Sequence, residues 1–232
     1  GQKISMTFSY PTPTTIDVFY TNSEGYLITP EVLPYGEYSL VEVQAPYGYA
    51  LDKTPVAFSV SSENAEKENS LTIVKVEKQN TAQKGKISVR KTGDIFTSVA
   101  TASSAYTNEN GEMIVNPTTY TPVFADGDLS GAVFQVIAVE DIVTLDGTVR
   151  ASAGDVVAEI TTDENGYAET EPLYLGKYEV REIKAPYGYV LNNEPKDVEL
   201  TYAGQEFEVR DTVNTAFENE YQSVRISLSK VM

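Results

Sequence analysis

The sequence predicts an all-β protein made of β-sandwiches in tandem, and three observations carry that expectation. Apolar and polar residues alternate with a period of two in many short segments. Turn signals rich in Gly and Asn separate those segments. One block of sequence occurs twice at a fixed offset. Alternation turns one face of a strand inward and the other to water. Many short strands with frequent turns fit a sandwich, and a recurring block marks an array of similar domains.

Taken in order, the turns fall at Ser23-Glu24-Gly25, Tyr35-Gly36, Glu109-Asn110-Gly111, Asp146-Gly147, Glu164-Asn165-Gly166 and Tyr202-Ala203-Gly204. Alternating strands fall at 86–91, 132–136, 178–183 and 224–229. No amphipathic helix stands out; residues 137–145 hold a single helical turn at most. The block VEVQAPYGYA at 41–50 returns as REIKAPYGYV at 181–190. Each copy follows a Gly-x-Tyr strand start at Gly36 and Gly176, and each carries a glutamate, Glu42 and Glu182, 140 residues apart. A glutamate within an apolar strand points to chemistry inside the domain.

Aligned on the repeat, residues 84–222 form a complete domain with an insertion at about 95–128, rich in Thr, Ser, Ala and Asn. Residues 1–83 form a domain lacking its opening strand. Residues 223–232 resemble the start of a further one, since Ile226-Ser227-Leu228-Ser229-Lys230 parallels Ile87-Ser88-Val89-Arg90-Lys91. The chain is therefore expected to be a segment of a longer array.

Composition excludes several functions. A formal net charge of −17 over 232 residues repels nucleic acid and anionic membrane surfaces. With no histidine and no cysteine, histidine triads, thiol catalysis, zinc–thiolate sites and disulfides are excluded. No apolar run reaches the length of a membrane span. Asp163-Glu164-Asn165-Gly166 lacks the alternating acidic ligands of a calcium loop and reads as a hairpin turn, so no metal or other cofactor is expected.

The pattern Tyr-x-Val-x-Glu-x-x-Ala-Pro-x-Gly-Tyr at 178–189 resembles the E-box of Gram-positive pilin and adhesin stalk domains, the Cna B-type or SpaA-like family. Lys91 at the end of an alternating first strand, Leu129–Phe134, and Phe217-Glu218-Asn219 fit the same family in its order. The resemblance implies tandem prealbumin-like, or inverse immunoglobulin-like, β-sandwiches. It also implies a spontaneous isopeptide bond between a first-strand lysine and a last-strand asparagine, assisted by the E-box carboxylate.

Carried onto this chain, Lys91 is the nucleophile, Asn219 the electrophile and Glu182 the proton shuttle. The physics fits. An amine attacks only when unprotonated, and burial in an apolar core lowers a lysine pKa. The sandwich supplies the proximity. The reaction occurs once, so it is self-crosslinking and not enzymatic turnover. The closed loop, 128 residues in separation, stabilises by about 5 kcal/mol on the chain-entropy account, and pulling force passes through the crosslink. Each residue also has an ordinary reading. Lysine is usually solvated, and Lys86 is a second candidate on the same strand. An inward carboxylate serves structure alone when hydrogen-bonded, and asparagine favours turns. In the first domain Glu42 and Asn80 are the equivalents, with the lysine expected upstream. Lys230 is the candidate nucleophile of a further or strand-swapped domain.

The function expected is a structural stalk module of an extracellular, cell-wall-attached surface protein or pilin, with neighbouring domains of the same array as partners. The alternative is an adhesive module that binds a host protein or glycan through residues 95–128. A hydrolase is disfavoured, because the sequence offers no second carboxylate pair at a defined spacing.

Overall fold

The computed structural model describes residues 1–9, 11–63, 66–68 and 71–230, with the backbone alone at 66–68, 71 and 72. Of the sequence-predicted tail at 223–232, the last two residues lie outside the described ones. The chain divides into two compact units. The first comprises Gly1–Val43 and Lys53–Gln79, and the second Gln44–Asp52 and the chain from Asn80 onward. Residues 44–52 and 80–83, which the repeat assigns to the first domain, cluster with the second unit.

The first unit is a set of antiparallel pairs. β1 (Met6–Phe8) pairs with β2 (Thr14–Ile16), β3 (Gly36–Leu40) with β4 (Val56–Val60), and β5 (Glu66–Glu68) with β6 (Leu71–Ile73). Tyr38 of β3 stacks on Phe58 opposite it. The Tyr38 hydroxyl donates to the Pro34 carbonyl at 2.7 Å, which fastens the strand start to the turn before it.

The second unit is a two-sheet sandwich. Its strands are β7 (Lys84–Gly85), β8 (Ile87–Ala102), β9 (Ala105–Thr107), β10 (Met113–Val115), β11 (Thr119–Asp128), β12 (Val133–Ala138), β13 (Ile142–Val143), β14 (Val149–Ala151), β15 (Val156–Thr161), β16 (Tyr167–Glu169), β17 (Leu173–Tyr174), β18 (Gly176–Lys184), β19 (Lys196–Leu200) and β20 (Val213–Asn219). One sheet runs β15-β12-β18-β19. The other is centred on β8, flanked by β11 and β16 in antiparallel pairing and by β20 in parallel pairing. First and last strands thus lie side by side, with Phe217 opposite Lys91 and Asn219 opposite Gly93.

Alternation becomes burial as the pattern requires. Phe134, Val136 and Ala138 of β12 point inward, as do Tyr178 and Val180 of β18 and Ile87 and Val89 of β8. Together with Phe217, Val198 and Leu200 they form the core. Buried polar groups are paired: Thr162 donates to the Leu129 carbonyl at 2.9 Å and accepts from the Ala132 amide at 3.1 Å. The Tyr178 hydroxyl donates to the Tyr174 carbonyl, the same four-residue span as Tyr38 to Pro34, and burial pushes its pKa up to about 12.

The insertion is a β-ribbon. β8 continues unbroken past Lys91 to Ala102, and β11 returns along it from opposite Ala102 to opposite Thr92. Gly93–Ala102 projects about 30 Å at roughly 3.3 Å per residue. β9 and β10 form its tip around the Asn108–Gly111 turn. Residues 137–145, read as at most one helical turn, instead enter the β13–β14 hairpin.

Gly166 occupies the left-handed region, with φ +66°, and a side chain there would press on the Lys91 carbonyl oxygen. That oxygen accepts from the Leu129 amide, while the Gly166 carbonyl accepts from the Lys91 amide. Gly147 has φ +78° and open space around it. Gly166→Ala is therefore expected to destabilise by about 2 kcal/mol or more, and Gly147→Ala by about 1 kcal/mol. Urea unfolding midpoints of the two variants check this; equal losses contradict it.

Candidate crosslinking site

Three polar residues face one another between the sheets, and the strand pattern explains why. Lys91 follows Ile87 and Val89 on the inward face of β8, Glu182 follows Tyr178 and Val180 on that of β18, and Asn219 follows Phe217 on that of β20. All three are buried, Lys91 at 0 %, Glu182 at 1 % and Asn219 at 3 % exposure.

The Lys91 amine donates to Asn219 Oδ1 and lies 3.6 Å from Glu182 Oε1. Asn219 Nδ2 reaches both carboxylate oxygens of Glu182, at 3.0 and 3.1 Å. Glu182 Oε2 also accepts from the Asn192 amide at 2.8 Å, which fixes the carboxylate plane. Phe134 and Phe217 pack with centroids 4.8 Å apart, and the Lys91 nitrogen lies 5.9 Å from the Phe217 ring. Burial holds the Lys91 pKa below its ordinary value, partly opposed by the nearby Glu182 charge.

This arrangement has the parts of an acyl transfer: an amine, a carboxamide carbonyl against it, and a carboxylate touching both the amine and the leaving nitrogen. Lys86, the second lysine considered, is engaged at the surface. It pairs with Glu169 at 2.6 Å, which raises its pKa, while Tyr167 and Thr212 donate to the same carboxylate.

The remaining sequence-predicted residues lie elsewhere. Glu42 sits beyond the end of β3, Asn80 donates to the Ala50 carbonyl at 3.2 Å, and Lys230 is exposed. Asp163 accepts from the amides of Asn165 and Tyr167, a turn function, and no metal-binding cluster of acidic residues exists among the described residues. Asn192 was not anticipated, and Phe134 and Phe217, present in the family motifs, were given no role at the site. Asn192 had a signal: it follows Glu182 by ten residues, as Asp52 follows Glu42.

The family model described as the SpaA prealbumin-like fold domain matches residues 4–75 and 124–215, most of the chain. Among curated proteins, the trypsin-resistant surface T6 protein of Streptococcus pyogenes serotype M6 is 38% identical over 50 residues, which is 22% of this chain and 9% of that protein. Among solved structures, the Bacillus anthracis TIE protein aligns with a TM-score of 0.52 at 22% identity, over 93% of this chain and 30% of that one, a likeness of fold. GBS52, the minor pilin of Streptococcus agalactiae, aligns with a TM-score of 0.35 at 16% identity, over 82% of this chain and 66% of that one. The chain thus spans less than a third of the first two proteins' lengths. On the family-model match, and with two-sheet sandwich architecture in its second unit, the chain belongs to the SpaA prealbumin-like fold domain family.

Proposed function

We propose that this chain is a load-bearing stalk segment of a Gram-positive, cell-wall-attached surface protein, and that its second unit joins Lys91 to Asn219 by an amide bond. The observation that carries the reading is the buried contact of Lys91, Glu182 and Asn219. The surface assignment draws on family membership and on the curated surface relative.

In the proposed reaction Glu182 takes a proton from the Lys91 ammonium, leaving a neutral amine beside the Asn219 carbonyl. Desolvation favours that neutral form. The amine nitrogen attacks Cγ of Asn219, and the carbonyl electrons move onto Oδ1. Glu182 passes its proton to Nδ2, which it already contacts, and takes the second amine proton. The Cγ–Nδ2 bond breaks, ammonia leaves, and the Nζ–Cγ amide remains. Asn219 borders a surface concavity of ≈ 560 Å³ shared with Asn192 and Glu220, a route out for ammonia. The bond ties β8 to its parallel neighbour β20, so tension on the domain is borne by covalent bonds.

A second reading, adhesion to a host protein or glycan, draws on the ribbon. Phe96, Tyr106, Met113, Val115 and Tyr120 are all more than half exposed there. Shortening the ribbon to a tight turn is expected to abolish binding to immobilised protein or glycan if adhesion is its role, and to leave the crosslink intact.

Intact mass under denaturing conditions is expected to fall below the sequence mass by about 17 Da, one ammonia. Lys91→Ala, Asn219→Ala and Glu182→Ala each restore the full mass. An unchanged mass in the folded parent chain refutes the bond.

Stability of the unreacted protein carries a pH signature. In Asn219→Ala, Lys91 stays free. Unfolded chain keeps it protonated up to about 10.5, whereas the folded chain releases that proton at lower pH. Unfolded protein therefore binds more protons in that window, and stability rises with pH across it. Urea unfolding between pH 7 and pH 10 is expected to show the rise, and Lys91→Met in the same background to flatten it.

A further inference from the structure

Both copies of the Ala-Pro-Tyr-Gly-Tyr block lie in the second unit, and they adopt one conformation. Gly48 and Gly188 have φ of +83° and +86°. The Gly48 carbonyl accepts from the Gln83 amide and the Gly188 carbonyl from the Gln222 amide, at 2.8 and 2.9 Å. The Ala50 amide donates to the Thr81 carbonyl and the Val190 amide to the Glu220 carbonyl. Tyr49 bridges Ala82 as Tyr189 bridges Tyr221. Each copy is thus closed by the strand segment that follows its domain.

Only the first copy is covered. The turn Tyr202–Phe207 sits on it. Gln205 accepts from the Ala45 amide through its side chain, at 2.9 Å, and from the Leu51 amide through its main chain, at 2.8 Å. Tyr202 packs on Tyr47 with centroids 4.7 Å apart. Gln83 clamps the same turn, donating to the carbonyls of Gly204 and Phe207 and accepting from the Ala203 amide. Gln83 and Ala45 are buried as a result.

The second copy presents the same groups uncovered. Tyr187, Val190, Leu191 and Gln222 are exposed, and Ala50 at 6 % contrasts with Val190 at 48 %. The Ala185 and Leu191 amides make no hydrogen bond among the described residues. Beyond it the spacing is preserved: Gln83 precedes Lys91 by eight residues, and Gln222 precedes Lys230 by eight.

We propose that the face formed by Ala185–Leu191 and Gln222 docks a Tyr-x-Gly-Gln turn of another sandwich domain of this family, seated as Tyr202–Phe207 is seated on residues 45–51. The proposal rests on the reading of the chain as part of a domain array. Two intact chains do not satisfy it. The Tyr202–Phe207 turn is already engaged, and the place 140 residues before Tyr202–Gln205 reads Ser62-Glu63-Asn64-Ala65, without the tyrosine or the glutamine. The occupant is therefore a domain whose first strand takes the position of Val224–Lys230.

Amide hydrogen exchange tests this. In the chain as it is, Ala45 and Leu51 are expected to exchange at least about ten-fold more slowly than Ala185 and Leu191. Gln205→Ala should accelerate Ala45 and leave Ala185 unchanged; an unaltered Ala45 overturns the seating. In a tandem chain with residues 92–222 repeated directly after Lys230, Ala185 and Leu191 should slow by about ten-fold or more. Gln→Ala at the appended counterpart of Gln205 should restore fast exchange at Ala185. Unchanged exchange at 185 and 191, with the appended core strands protected, refutes the docking face. Core protection is read independently of ammonia loss, so failure of the crosslink and failure of docking are separable.

Discussion

A lysine nitrogen held away from water between two β-sheets is the constraint around which the second unit is organised. Lys91 has no exposure, and its amine contacts the side chains of Asn219 and Glu182. A buried ammonium without partners costs several kcal/mol, so the sandwich holds together only if those partners arrive in register. Three features deliver them. Parallel pairing of β8 with β20 places Asn219 beside the lysine, alternation on β18 turns Glu182 across from it, and the Asn192 amide prevents the carboxylate from rotating. The aromatic pair Phe134 and Phe217 excludes water around them.

The repeated block serves two purposes that are easily conflated. In the second copy the glutamate belongs to the sandwich interior, whereas the Ala-Pro-Tyr-Gly-Tyr turn lies where the domain's final segment leaves. Tyr189 shows the connection. It stacks on Tyr221 at 4.7 Å and donates to the Asp94 carbonyl, and Tyr221 in turn packs on Phe124 at the ribbon base. The same turn that follows the buried carboxylate therefore braces the ribbon. In the first copy the partner of Tyr49 is Ala82, which has no ring to stack on it.

Much of this was legible in the sequence, because burial writes itself into alternation. Ile87, Val89 and Lys91 share parity, and so do Tyr178, Val180 and Glu182, so the inward placement of the lysine and glutamate followed from their neighbours. The ribbon left no such trace. Beyond Gly93 both faces of β8 meet solvent, so its Thr, Ser and Ala residues show no periodic signal although the strand continues. In the segment at 137–145 Ile142 is buried against Gly176 while Val139 and Val143 are exposed, a hairpin pattern too short to declare a period. Nor does local pattern reveal that residues 44–52 pack on Gln205, since that contact spans 160 residues.

The ribbon lies wholly between Lys91 and Asn219 in the chain, and its tip is exposed. With those two side chains joined as proposed, a protease that cuts near Asn108–Gly111 opens the backbone without parting the molecule. The two fragments remain one covalent body, linked through side chains in the core. Scission of this exposed segment then leaves the path of tension from one end of the domain to the other uninterrupted.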